Sequence, residues 1–148
     1  SKVGTIGGTG YIGVVPLRLL AVHEHVELLV VTSRELSGTP VAQHFPNLRG
    51  HVNLRFSPGG SSLIGQCDVV FFALPPNLLS PYNSRLNALL QAGVKVIELS
   101  ADCRLSDVCL WEKRYGGKHA CPELIERAAY GLPEVNRAQF AASIPPRA

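Results

Sequence analysis

Lys2-Val3-Gly4-Thr5-Ile6-Gly7-Gly8-Thr9-Gly10-Tyr11-Ile12-Gly13 is the stretch whose reading decides the fold of this chain. Val3 to Ile6 reads as a short strand that runs directly into glycines. Gly7, Gly8, Gly10 and Gly13 satisfy both G-x-x-G-x-x-G and G-x-G-x-x-G. Without a Cβ, such residues let the backbone turn tightly and approach an anion, and the free N–H groups at the start of the next helix point at it. A glycine motif by itself is weak evidence, and its context strengthens it: a strand before and a helical pattern after. Tyr11 to Val22 supplies that helical pattern, with Ile12, Val15, Leu19 and Leu20 near one face. Pro16 conflicts with it, because an interior proline loses one backbone bond and crowds the preceding turn. A kink or an irregular first turn is expected there.

A second apolar strand, Val26 to Thr32, ends in Thr32-Ser33-Arg34. In a dinucleotide-binding fold the first βα turn holds the diphosphate and the end of the second strand meets the ribose 2′ position. An acid there reads a free hydroxyl, whereas a hydroxyl and an arginine suit a 2′-phosphate. The pattern therefore predicts NADP rather than NAD. Gly7, Thr9, Gly10, Tyr11, Ile12 and Gly13 are the candidates for the diphosphate, and Thr32, Ser33 and Arg34 for the 2′-phosphate. The competing reading of Arg34 is a solvated loop arginine paired with Glu35.

Further along, Ser37-Gly38-Thr39-Pro40 and Ser57-Pro58-Gly59-Gly60 are turn signals, with a possible short strand at Val52 to Phe56 between them. Asp68 to Leu74 is a buried strand that Pro75-Pro76 takes out of the sheet. Leu78 to Ala92 is a helix with Pro81 in its first turn and Gly93 as its stop. Val94 to Leu99 is a fourth strand. Asp107 to Tyr115 and Pro122 to Ala129 read as short helices, and Gly131-Leu132-Pro133 as a turn. Strands alternating with helices predict an α/β fold: a Rossmann-like, doubly wound, mainly parallel sheet in a single domain. Ligands of such sheets bind beyond the carboxyl ends of the strands. That adds Ala73, Leu74, Pro75 and Ser100 to the cofactor candidates. Asp102 and Arg104 either touch the nicotinamide ribose or a substrate phosphate, or pair with each other and hold their loop. His119, in Gly-Gly-Lys-His, is a candidate for the substrate loop or an ordinary loop histidine.

The totals narrow the function classes. At 148 residues the chain is long enough for one domain with a real core. A net charge of +3 from scattered Lys and Arg argues against a nucleic-acid partner. No apolar run has the length of a membrane helix, and no basic segment followed by a long apolar stretch opens the chain, so a cytoplasmic protein is expected. The cysteines at 67, 103, 109 and 121 contain no Cys-x-x-Cys pair and read as free thiols. Cys103, Cys109, His119 and Cys121 match no zinc-ligand spacing, so no metal is expected. The chain has no methionine and stops at Ser143-Ile144-Pro145-Pro146-Arg147-Ala148, which completes neither a helix nor a strand. Both features suggest a processed or truncated product.

Together these segments resemble N-acetyl-γ-glutamyl-phosphate reductase, the arginine-biosynthesis enzyme. The likeness lies in the opening strand and turn, in Val31-Thr32-Ser33-Arg34 and in Phe45-Pro46-Asn47-Leu48-Arg49-Gly50. It continues through Cys67 to Pro75, Leu99-Ser100-Ala101-Asp102, Lys118 to Leu124 and Tyr130 to Arg137, in register from Lys2 to about Ala142. The resemblance implies the NADP-binding domain over residues 1–142, a divergent or truncated tail over 143–148, and a second, catalytic domain that is absent. It also implies a reaction. A cysteine thiolate displaces phosphate from an acyl phosphate, NADPH reduces the thioester to a semialdehyde, and a histidine manages protons at the sulfur. A homo-oligomer is implied for the full-length enzyme, through contacts of the second domain.

Several positions depart from the family pattern. The nucleophile belongs to a Pro-Gly-Cys-Tyr-Pro-Thr segment just after Leu132-Pro133-Glu134-Val135-Asn136-Arg137, where this chain has Ser143-Ile144-Pro145-Pro146. No catalytic residue is therefore expected in this chain, and none of its four cysteines takes that role. Pro76-Asn77 stands where the family has His-Gly, Cys103 where it has phenylalanine, and Pro16 where it has an ordinary helix former. The expected activity is reduction of N-acetyl-γ-glutamyl phosphate in the full-length enzyme, with this chain limited to cofactor binding. The alternatives are a relative reducing another acyl phosphate, such as aspartyl or aminoadipyl phosphate, and a non-catalytic NADP-binding module. Without its second domain, the chain is expected to expose apolar surface and to associate non-specifically.

Overall fold

The computed structural model describes residues 1–75, 79–100, 103, 105, 107–116, 118, 119, 122–125 and 127–143. The chain divides into two compact units, Ser1–Ser100 and Ala101–Ala148.

The first unit is an α/β layer structure. Its strands are β1 (Lys2–Ile6), β2 (Glu27–Thr32), β3 (Val69–Phe72) and β4 (Lys95–Glu98), all close to the expected positions. They pair in parallel in the order β2-β1-β3-β4. Helix α1 (Tyr11–Ala21) joins β1 to β2. Residues between β2 and β3 form a four-residue helix, α2 (Val41–His44), and 3₁₀ turns at Pro46–Leu48 and Ser62–Gln66. A third 3₁₀ turn, Ser80–Tyr82, leads into α3 (Asn83–Gln91), which joins β3 to β4. The expected strand at 52–56 is replaced by single bridges, Pro40 to Arg55 and Thr32 to Ser57.

Register sorts the side chains onto two faces, since paired residues share a face and successive residues alternate. Thr5 pairs with Val31 and Phe71 on one face, and Ile6 with Thr32 and Phe72 on the other. The register of β1 against β2 shifts between Val3 and Gly4, so that Leu28 and Val31, three apart, lie on the same face. Val31 belongs to a core cluster with Leu17 of α1, Val41, Leu48, Val52 and Phe56. On the opposite face a Cβ at Gly4 would meet Cys67 Sγ at 2.9 Å and Ile64 at 3.3 Å. Glycine there lets the 3₁₀ turn of residues 62–66 lie against the strand. Phe72, also on that face, packs edge-on against Tyr82. Both faces are covered, as a doubly wound sheet requires. Full burial of side chains such as Leu17 and Phe56 contributes roughly 1.5–3 kcal/mol each.

Strand order reverses between β1 and β3, because β2 lies to one side of β1 and β4 to the other side of β3. That reversal opens a crevice at the carboxyl ends of β1 and β3.

Helix α1 differs from its expected orientation. Gly13 and Leu17 are its buried residues, while Ile12, Val15 and Leu19 are 41%, 50% and 59% exposed. The helix starts from a glycine turn that lies against β2, so Gly13 rather than the larger apolar residues must face the backbone. Pro16 sits inside the helix, which continues on both sides of it.

In the second unit, α4 (Val108–Tyr115) is capped by Asp107, whose carboxylate accepts the Leu110 N–H at 3.1 Å. It ends at Gly116, with φ of 77°. Trp111 is buried against the rings of Tyr115 and His119. The helix expected at 122–129 is shorter, α5 (Pro122–Ile125), and a further helix not anticipated from sequence, α6 (Pro133–Ser143), follows. Asn136 explains part of the Tyr130 to Arg137 stretch. It accepts the Leu132 N–H and donates to the Tyr130 carbonyl, tying the turn to the helix start.

Candidate functional site

The crevice encloses about 440 Å³. The glycine turn forms one wall. Gly7 has φ of 81°, and a Cβ there would meet the Ala73 carbonyl oxygen at 2.8 Å, so this residue is held both by its dihedral and by the neighbouring strand end. A Cβ on Gly8 would meet Val31 at 2.5 Å, and one on Gly13 the Gly8 backbone at 2.7 Å. These three glycines let the turn, the helix and two strands approach one another. Gly10 is different. A Cβ there would meet nothing within 4 Å, and the residue lines the crevice as the N-cap of α1. The space that glycine leaves is on the open side.

No side chain caps α1, and no acidic residue lies in its first turn. The first N–H groups of a helix have no partner within it and carry its positive dipole end. Gly13 N–H finds the Gly10 carbonyl at 3.0 Å. Among the described residues, the N–H groups of Gly10, Tyr11 and Ile12 have no acceptor. Open space beside uncapped amides fits a diphosphate.

The second wall comes from the end of β2. Thr32 and Ser33 are buried, and their hydroxyls work for the backbone. Thr32 Oγ1 accepts the Gly7 N–H at 3.3 Å, and Ser33 Oγ accepts the Leu36 N–H at 3.1 Å. The Thr32 carbonyl accepts the Gly8 N–H, and the Ser57 carbonyl the Ser33 N–H. Arg34 is exposed on the crevice rim. Among the described residues it is the one cationic side chain on that lining, and no carboxylate lies within ion-pair distance of it. The pairing with Glu35 that sequence left open is not made, although Glu35 also lines the crevice.

The third side is the end of β3, Ala73, Leu74 and Pro75, joined to β1 by the Ala73 N–H to Ile6 carbonyl bond at 2.8 Å. Sequence reading passed over Gly59, Pro81 and Tyr82, which also line the crevice. From sequence, Gly59 reads as part of a turn and Pro81 as part of a helix's first turn. The guanidinium of Arg85 donates to the Gly59 and Ser61 carbonyls, binding this turn to α3. No local pattern announces a bond across 24 to 26 residues.

Thus Gly7, Thr9, Gly10, Tyr11, Ile12, Thr32, Ser33, Arg34, Ala73, Leu74 and Pro75 meet at one crevice. Gly13 lies behind the turn rather than on the lining. Ser100 is buried beyond β4, its N–H donating to Glu98 Oε1 at 2.6 Å, and does not line it. Asp102 and Arg104 lie outside the described residues. His119 belongs to the second unit, where it is buried, stacks edge-on against Trp111 and donates its N–H to Glu112.

Cys67 is buried, donates to the Leu63 carbonyl, and has its pKa raised by burial and by the neighbouring Asp68 carboxylate, which keeps it a thiol. Cys103 is half-buried, Cys109 is exposed and free, and Cys121 lies outside the described residues. Among the described residues no cluster of His, Cys, Asp or Glu could hold a metal ion, and no helix is long and apolar enough to cross a membrane.

Comparison with known proteins gives this geometry a lineage. Residues 2–143 match the family model for the semialdehyde dehydrogenase, NAD binding domain. The N-acetyl-gamma-glutamyl-phosphate reductase of Thiobacillus denitrificans is 54% identical over 142 residues, covering 96% of this chain and 41% of that protein. That of Pseudomonas fluorescens is 55% identical over 140 residues, covering 94% and 40%. The chain spans about two fifths of the length of these relatives. Among solved structures, an aspartate semialdehyde dehydrogenase with NADP from Candida albicans superposes with a TM-score of 0.56. That match is 17% identical, covers 80% of this chain and 40% of the other, and reflects the shared fold. A parallel sheet with a glycine turn at its reversal point, matched over nearly its whole length, assigns the chain: it belongs to the semialdehyde dehydrogenase family and carries that family's NAD-binding domain.

Proposed function

We propose that this chain binds NADPH across the crevice, as the cofactor-binding part of an N-acetyl-γ-glutamyl-phosphate reductase. The diphosphate sits on the uncapped amides at Gly10, Tyr11 and Ile12, within the turn that Gly7, Thr9 and Gly13 shape. Arg34 takes the 2′-phosphate, and Ser33, whose oxygen already accepts one N–H, retains a proton to donate. Thr32 supports the turn from beneath. Ala73, Leu74 and Pro75 flank the nicotinamide half, with Ser100 behind them. Asp102, Arg104 and His119 belong to the substrate loop. The bound cofactor supplies a hydride, and this chain's residues hold and orient it.

One observation carries the reading: an exposed, unpaired Arg34 on the same crevice as an uncapped glycine turn. The names of relatives at 54–55% identity support N-acetyl-γ-glutamyl phosphate as substrate and N-acetylglutamate semialdehyde as product in the longer protein. The chain by itself supplies no nucleophile for that step, so it binds cofactor without turning over substrate. Free thiols at Cys67 and Cys109 suit a reducing, cytoplasmic compartment. A homo-oligomer is proposed for the longer protein.

The test is a titration of the chain with NADPH and NADH. NADPH should bind at least about tenfold more tightly, and Arg34→Ala should remove most of that difference while leaving NADH unchanged. Equal affinity of the unaltered chain for the two cofactors would overturn the assignment.

A further inference from the structure

We infer that His44 is a positioning residue for the diphosphate site: its imidazole holds the Thr9–Gly10 peptide with the Gly10 N–H facing the crevice. The inference rests on the dinucleotide reading above. His44 ends α2, a segment with no motif of its own, and lies 35 residues from the turn it reaches. Its Nε2 is 3.2 Å from the Thr9 carbonyl oxygen. A carbonyl can only accept, so the ring carries its proton on Nε2 and donates it. The ring is held in place by edge-on contacts with Phe45, at 4.5 Å between centroids, and Phe56, at 6.0 Å. Phe56 belongs to the core cluster that α1 and β2 share, so the donor stands on a rigid base.

The consequence follows from peptide geometry. In a trans peptide the C=O and the following N–H lie in one plane and point in opposite directions. Holding the Thr9 oxygen therefore fixes the direction of the Gly10 N–H. Thr9 and Gly10 both line the crevice and His44 does not, so the bond draws the Thr9 carbonyl toward a group outside the lining and turns the Gly10 N–H the opposite way. Gly10 tolerates almost any φ, which makes rotation of this peptide inexpensive when nothing holds it. A rotated peptide would present a carbonyl oxygen to the phosphates instead of an amide. His44 thus acts on the cofactor through the main chain, without touching it.

Two variants of the 148-residue chain separate the bond from the packing. His44→Phe keeps an aromatic ring against Phe45 and Phe56 but has no donor. His44→Gln loses the ring but carries an amide N–H at a comparable reach. Each is titrated with NADPH and with adenosine 2′-phosphate, which has the phosphate read by Arg34 and no diphosphate. His44→Phe should bind NADPH about five- to tenfold more weakly and adenosine 2′-phosphate as the unaltered chain does. His44→Gln should stay within about twofold for both. The inference is overturned if His44→Phe retains full NADPH affinity, if His44→Gln loses as much as His44→Phe, or if affinity for both ligands falls together. Failure of the unaltered chain to bind NADPH at all would instead remove the dinucleotide reading, and this inference with it.

Discussion

At the scale of single residues, the four glycines of the opening turn divide into two kinds. Gly7, Gly8 and Gly13 are required by folding, because a Cβ at any of them would run into backbone or core atoms. Gly10 has no such constraint: a Cβ there would meet nothing within 4 Å, and the residue lines the crevice where the diphosphate is proposed to sit. The two kinds separate experimentally. Gly13→Ala gains up to about 1 kcal/mol of helix propensity. It loses roughly 1–3 kcal/mol to overpacking against the Gly8 backbone, which cannot move aside as a side chain could. Urea unfolding should show a net loss. Gly10→Ala should change stability by less than about 1 kcal/mol, the cost of a poorer N-cap, yet weaken NADPH binding at least about tenfold. A stable Gly10→Ala variant with undiminished affinity would count against the diphosphate lying there.

At the scale of elements, α1 shows where local pattern and tertiary demand part company. Ile12, Val15, Leu19 and Leu20 look like a buried stripe, and their spacing is helical. The turn nevertheless requires Gly13 against the Gly8 backbone, and that rotates Leu17 into the core and Ile12, Val15 and Leu19 outward, with Leu20 half-buried. Pro16 sits mid-helix, where its ring is half-buried and its missing N–H leaves one carbonyl of the preceding turn without its usual donor. An interior proline costs about 3 kcal/mol relative to alanine. Pro16→Ala should therefore raise stability by roughly 1–3 kcal/mol in equilibrium unfolding, with NADPH affinity unchanged because Pro16 does not line the crevice. A loss of stability would show that the ring's packing outweighs the missing bond.

At the scale of the whole molecule, the outward stripe has a consequence. Ile12, Val15, Leu19 and Val22 follow one another at three- and four-residue steps and are 41% to 65% exposed. Contiguous exposed apolar surface favours association. Sedimentation of the chain should show concentration-dependent self-association, and Val15→Glu combined with Leu19→Lys should reduce it without altering NADPH affinity. A monodisperse monomer at high concentration would refute this.

What sequence determined by itself was the order of events along the chain. Short β-branched runs, a glycine turn and a strand ending in Thr-Ser-Arg identify the strands, the parallel sheet and most of the crevice residues. They can do so because strand period and turn chemistry are local properties, set by neighbouring side chains and by the absence of Cβ. Tertiary structure decided the rest. Only packing against β2 determines which face of α1 is buried. Tyr82 and Gly59 reach the crevice only because the strand order reverses beside them, with Arg85 holding the turn. His44 meets Thr9 only once α2 folds against the core. Each of these depends on contacts between residues far apart in the chain, whose energies no short window contains.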